Sequence, residues 1–303
     1  MPAQIDDRDA ASSALGHPDA VRRSFRSQRL ELSYLDWGNP DAPLLVLVHG
    51  GRDHAHNWDW VARELRNDWH VVCPDLRGHG DSSWSPDGNY TMPFFVADLA
   101  ALVAQLDGSD VSIVAHSLGS AISLRYAGIF PQQVRRITAI EGVGTSLLDR
   151  QPEDSVAERW GAWIEARRIQ GARAHKGYAT LDEACTRMQA QHPHLTSDQA
   201  LHLTKWGTRI LGDGALWWKF DDLLLALPPV GISTAELHGL WRNIQCPVWL
   251  VHGENSWVGD PRTDGRANIF RNATVTGYEN AGHWVHHNRF DSFVEDLKAF
   301  LGS

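Results

Sequence analysis

Between residues 111 and 130 the chain passes from an apolar run to a helical pattern with almost no room to turn. Residues 111–114 read as a strand covered on both faces, and residues 120–130 carry apolar side chains at helical spacing. The turn between them is Ala115-His116-Ser117-Leu118-Gly119, with Ser117 at its apex. A turn this abrupt lifts a hydroxyl clear of the backbone at the carboxyl end of a strand. It also aims the first helical N–H groups at whatever that hydroxyl attacks. The small residues two before and two after the serine, Ala115 and Gly119, let helix and strand approach closely. Such a unit belongs in a sheet with helices on both faces.

The 115–119 run resembles the nucleophile elbow of the α/β-hydrolase family, G-x-S-x-G, with alanine in place of the first glycine. The resemblance implies an α/β fold: a mostly parallel eight-stranded sheet flanked by helices, with an all-helical cap inserted. Two further stretches carry it. His49-Gly50-Gly51 follows the apolar strand at 44–48, where the family places part of its oxyanion hole. Asp75-Leu76-Arg77-Gly78-His79-Gly80-Asp81-Ser82 is similar to the family's loop after the next strand, and Asp75, His79 and Asp81 are assigned a structural role there.

Along the chain, residues 1–20 lack periodicity and are expected to form a flexible tail. Alternating runs at 24–28 and 30–37 predict an edge hairpin. Further strands are expected at 44–48, 69–73, 134–140, 248–251 and 273–278, and helices at 57–65, 92–106, 262–271 and 290–301. From about residue 147 to 241 strand–helix alternation stops, and helical patterns carry Trp160, Trp163, Trp206, Trp217 and Trp218. The expected division is a core of residues 21–144 and 242–303 with a cap at 145–241. A cap covers the site and shapes its pocket. With 14 tryptophans in the chain, one or two from the cap are expected to wall an apolar cavity.

A net charge of −9 without a Lys/Arg run argues against nucleic acid or an anionic membrane as partner. The N-terminus lacks the basic and apolar regions of a signal peptide, and no apolar run is long enough to span a bilayer, so a cytoplasmic protein is expected. Cys73, Cys185 and Cys246 are scattered and read as small hydrophobes.

A serine hydroxyl needs a base, and the base needs an orienting acid. Among 16 histidines, His283 follows the last strand behind Gly282, in a Gly-His loop that matches the family's. His283 and His287 stand at helical spacing, but no Glu-rich motif supports a metal site. The commonest family pattern puts the acid, an aspartate, at the position occupied here by Ser256. Glu141, Asp260 and Glu254 are the candidates to replace it, with Glu141 favoured because some branches place the acid at the end of the strand after the nucleophile.

The resemblance thus implies catalytic Ser117, His283 and Glu141, with the Gly51 and Leu118 amides as oxyanion hole and no cofactor or metal. It implies a carboxylic ester hydrolase for small, apolar or aromatic substrates, acting as monomer or homodimer. Lactone or carbon–carbon bond hydrolysis, or a small-ligand receptor with residual turnover, stand as alternatives. A serine at the apex speaks against the carboxylate-nucleophile dehalogenases and epoxide hydrolases.

Overall fold

The computed structural model describes residues 20–143, 155–172, 177–212 and 214–302. The chain opens on an antiparallel hairpin, β1 (Val21–Ser27) and β2 (Leu30–Asp36). β3 (Leu44–Val48) follows, then a 3-10 turn at Ala55–Trp58, helix α1 (Asp59–Leu65) and β4 (His70–Pro74). Next come α2 (Met92–Gln105), β5 (Val111–His116), α3 (Leu118–Ile129) and β6 (Val134–Ile140). The inserted segment holds α4 (Val156–Ala172), α5 (Leu181–Gln191), α6 (Ser197–Gly207), β7 (Thr208–Ile210), β8 (Leu216–Trp218) and α7 (Thr234–Asn243). The chain closes with β9 (Val248–Gly253), β10 (Ala273–Tyr278), the one-turn α8 (Val285–Asn288) and α9 (Phe290–Leu301).

Eight strands make the main sheet in the order β1-β2-β4-β3-β5-β6-β9-β10, and β2 alone runs against the others. Its central strands are apolar on both faces because successive side chains point to opposite sides. Val46, Val48, Ile113 and Ala115 pack on one side with Phe95, Leu99 and Ile122 of α2 and α3. Leu45, Leu47, Val114 and Trp249 pack on the other with Val61, Leu65, Phe293 and Leu297 of α1 and α9. Each fully buried side chain of this size contributes roughly 1.5–3 kcal/mol relative to exposure.

Three expectations are corrected. The helix expected at 262–271 is only a 3-10 turn at Arg266–Ile269. Asp260 and Asp264 each accept the amide two residues on, from Arg262 and Arg266, and Gly265 is left-handed at φ 79°, so local turns outcompete a helix there. The insertion is not all-helical: β7 and β8 pair as a short antiparallel ribbon. Finally, α7, assigned by sequence to the cap, belongs by packing to the core. Leu237 and Trp241 join the α2–α3 side of the sheet, and the Gly128 carbonyl of α3 accepts the Asn243 side chain at 2.6 Å.

Apart from Ala20, the expected tail lies outside the described residues, as does the start of the cap through residue 154. Cys73 and Cys246 are buried and Cys185 half-buried, all three as free thiols. Among the described residues no helix is long and apolar enough to cross a membrane.

Candidate active site

The elbow forms as its residue sizes require. Ser117 sits at φ 51°, ψ −115°, a left-handed backbone rare for a residue with a side chain. Its amide donates to the Ile140 carbonyl at 2.8 Å, and Ser120 Oγ donates to the Ala115 carbonyl at 2.6 Å, so the turn is clamped from both sides. A methyl group at Gly119 would lie 2.4 Å from the Val48 carbonyl oxygen. The alanine at 115 is accommodated, fully buried within β5.

Glu141 repeats the device one strand away. It ends β6 at φ 55° with its amide on the Val251 carbonyl at 2.9 Å. Its carboxylate is fully buried and accepts four bonds. Oε1 takes His252 Nδ1 at 3.0 Å and the Gly253 amide at 2.7 Å; Oε2 takes the Ser256 hydroxyl and His283 Nδ1 at 3.2 Å. Neither other candidate acid reaches the histidine. Asp260 is held by Arg262 through both carboxylate oxygens, and Glu254 is exposed to solvent. His287 turns the other way, to Asn57 Oδ1 at 3.2 Å, so His283 and His287 do not converge on a common ligand position.

Ser117 and His283 border one cavity of about 490 Å³. They form no direct hydrogen bond here, a looseness common before a substrate is bound. Gly51 and Leu118 line the same cavity. Leu118 opens α3, so its N–H has no partner inside the helix. His49 braces the glycine turn: its Nε2 accepts the Leu76 amide at 3.0 Å and its Nδ1 donates to the Gly50 carbonyl at 2.7 Å.

The insertion supplies the far wall through Met188 and Gln191 of α5 and His192 at its end, Leu203 and Gly207 of α6, and Trp218, Lys219 and Phe220 at and just after the end of β8. Trp257 and Trp284 flank His283. Of the five cap tryptophans singled out by sequence, Trp218 reaches the cavity; Trp257 and Trp284 come from the core loops. The expected apolar box is corrected by its polar groups. Arg52, Asp53 and His54 from the turn after β3, Gln191 and His192 from the end of α5, and Lys219 after β8 share the wall with the aromatics.

Burial tunes several of these groups toward neutrality. It pushes the Asp53 carboxyl up to about 8. Burial, then Arg52 and His283, hold His192 down at about 4. Burial, then the neighbouring His283, hold His116 well below the usual imidazole range, and its Nε2 donates to the His283 carbonyl at 2.9 Å.

Sequence reasoning missed Ser256 as a donor to the carboxylate, having noted it only as the residue in place of the family's usual aspartate. It also missed His252, which binds the same carboxylate, and Arg52 and Asp53, which follow the glycine turn on the cavity wall. Their place directly after His49-Gly50-Gly51 was the signal available for the last two.

A family model described as alpha/beta hydrolase fold matches residues 43–290. The chain is 31% identical over 237 residues, 74% of its length and 77% of the relative's, to a 3-hydroxybutyrate-oligomer hydrolase of Cupriavidus necator. It is 35% identical over 275 residues, 88% of its length and 90% of the relative's, to a 2-hydroxy-6-oxo-2,4-heptadienoate hydrolase of Pseudomonas putida. An esterase of Mycobacterium tuberculosis is 28% identical over 283 residues, 91% of this chain and 88% of that one. Its crystal structure superposes with a TM-score of 0.72 over the whole of both chains, at 22% identity in that alignment.

Proposed function

The chain belongs to the α/β hydrolase fold family, and from that premise we propose that it is a serine hydrolase of small carboxylic esters working through an acyl-enzyme. One observation carries the proposal. A serine on a left-handed elbow borders the same cavity as a histidine whose far nitrogen is engaged by a buried carboxylate. The similarity to an esterase and to an oligomer hydrolase supports ester cleavage.

In the proposed mechanism Ser117 Oγ attacks the ester carbonyl carbon while His283 Nε2 takes the hydroxyl proton. Glu141 holds Nδ1–H, which fixes the tautomer and stabilises the imidazolium. The Gly51 and Leu118 amides receive the oxyanion. His283 then returns the proton to the leaving alcohol. Water, deprotonated by His283, attacks the acyl-enzyme, and the proton goes back to Ser117 as the acid departs. Trp218, Phe220 and Trp284 offer apolar surface to the substrate's carbon skeleton.

The test is labelling with a serine-reactive fluorophosphonate, followed by peptide mass spectrometry, alongside turnover of short p-nitrophenyl esters. The label is expected on Ser117, and Ser117→Ala is expected to lose both labelling and turnover. Undiminished hydrolysis by Ser117→Ala would overturn the proposal. A second reading, carbon–carbon bond hydrolysis on the same residues, is favoured by the similarity to the Pseudomonas putida enzyme. Turnover of a vinylogous diketone in preference to every ester would select it.

A further inference from the structure

Arg52 follows the turn glycines after β3 and lines the cavity of Ser117 and His283. A Cβ placed on Gly50 would lie 3.3 Å from Ser117 Cβ, and one on Gly51 3.7 Å from the Leu118 side chain. The residue next along is therefore within a side chain's length of the elbow. Among the described residues the Arg52 guanidinium meets no carboxylate. The second cation on the wall, Lys219, is already held by Asp81 at 2.7 Å. The acid beside Arg52, Asp53, spends its Oδ1 on the His54 amide at 2.8 Å. Burial pushes its carboxyl up to about 8, toward the neutral form, which weakens it as a counter-charge to the arginine. The described wall thus presents an unbalanced positive charge in a chain whose net charge is −9.

Backbone conformation supplies a second observation. Arg52 is left-handed, at φ 59°. Such a backbone favours glycine or asparagine, and long side chains are held there only by their surroundings. Ser117 and Glu141, at the carboxyl ends of neighbouring strands, are the other two site residues in this state. Arg52 joins them on the same rim of the sheet.

We propose that Arg52 binds a carboxylate on the substrate, so that the protein acts on esters of molecules carrying a free carboxylate a few atoms from the scissile carbonyl. The inference rests on the hydrolase reading above and names its substrate class. A guanidinium presents two parallel N–H groups that match the two oxygens of a carboxylate. Trp218 and Phe220, on the facing wall, leave apolar surface for the methylenes between carboxylate and ester.

The experiment compares kcat/KM for monomethyl adipate and methyl hexanoate, followed by pH-stat at pH 7.5, in wild type, Arg52→Gln and Arg52→Lys. Wild type is expected to favour the anionic ester, chiefly through KM. Arg52→Gln should reduce the anionic-to-neutral ratio by roughly ten- to a hundred-fold, the range for a hydrogen bond between charged groups. Arg52→Lys should keep part of it, since the charge remains and the fork is lost. An unchanged ratio in Arg52→Gln, or a wild-type preference for methyl hexanoate, overturns the inference while leaving the hydrolase reading intact. If wild type cleaves neither ester, that reading fails instead. The subsite is then judged by calorimetric binding of adipate, expected to be at least about ten-fold weaker in Arg52→Gln. Equal binding by both proteins, or none by either, overturns it.

Discussion

Glu141 accepts four hydrogen bonds with its side chain out of contact with solvent, and every one comes from a group that can only donate to a carboxylate in that geometry. A glutamine there would offer one acceptor oxygen and set an NH2 against the remaining donors. Glu141→Gln is therefore expected to lower kcat on p-nitrophenyl acetate by about 10³-fold or more, the scale seen when a triad acid becomes an amide. Ser256 stands where the family's usual aspartate would, and its hydroxyl already reaches the Glu141 carboxylate. Adding Ser256→Asp to Glu141→Gln should recover part of the lost kcat, because a carboxylate returns to the same neighbourhood. A double variant no better than Glu141→Gln would place the acid's function elsewhere. Glu141 was favoured in the sequence because it ends the strand after the elbow while position 256 lacks an aspartate. Ser256's own part was not legible, because a serine at that position says nothing about which carboxylate it faces.

At the scale of elements, the site is a meeting of strand ends. The turns after β3, β5, β6, β9 and β10 bring in Gly51 and Arg52, Ser117, Glu141, Ser256 and His283 respectively. That convergence depends on α3 starting hard against β3. At Gly119 even a methyl group would sit 2.4 Å from the Val48 carbonyl and 2.5 Å from that of His49, both backbone atoms of the sheet. Gly119→Ala is expected to destabilise the fold by roughly 1–3 kcal/mol in urea titrations, the range for forced overpacking. It should also slow fluorophosphonate labelling of Ser117, since the helix start carries the Leu118 amide. Full stability and full labelling in this variant would show that the elbow tolerates a wider gap than its geometry implies. The helix expected at 262–271 failed at this same scale. Aspartates two residues before Arg262 and Arg266 captured the backbone amides locally.

Across the molecule, seven histidines among the described residues are held toward the neutral form. Burial holds His54 and His287 at about 3 and His79 and His192 at about 4, and it holds His49, His116 and His286 well below the usual range. In the unfolded chain the same rings take up protons near pH 6.5. Unfolding therefore binds protons below that pH, and the stability present above it is lost as pH falls from about 6.5 toward 3. Asp53 works in the opposite direction. Its folded-state carboxyl is raised from 3.8 to about 8, so its contribution is whole below 3.8 and is lost as pH rises toward 8. Urea unfolding is expected to give a clearly lower free energy at pH 5 than at pH 7, because the seven lowered histidines outnumber the two acids that burial raises, Asp53 and Asp75. Asp53→Asn should raise the melting temperature at pH 8 more than at pH 4. A gain of equal size at both pH values would mean that Asp53 is not held protonated by its burial.

Sequence alone determined the elements whose instructions are contiguous. Residues 111–130 specify strand, sharp turn and helix through a few side-chain sizes, and Gly282-His283 and His49-Gly50-Gly51 mark loops by composition. Only the tertiary structure decided the pairings between distant segments. Glu141 and His283 meet 142 residues apart because β6 and β9 pair in parallel and place the Glu141 amide on the Val251 carbonyl. The seating of α7 on α3, rather than within the cap, and the freedom of Arg52 from any described carboxylate are of the same kind. Local spacing encodes turns and periodicity, whereas which charged groups neutralise one another is set by sheet order and packing, and neither is written in any single stretch of chain.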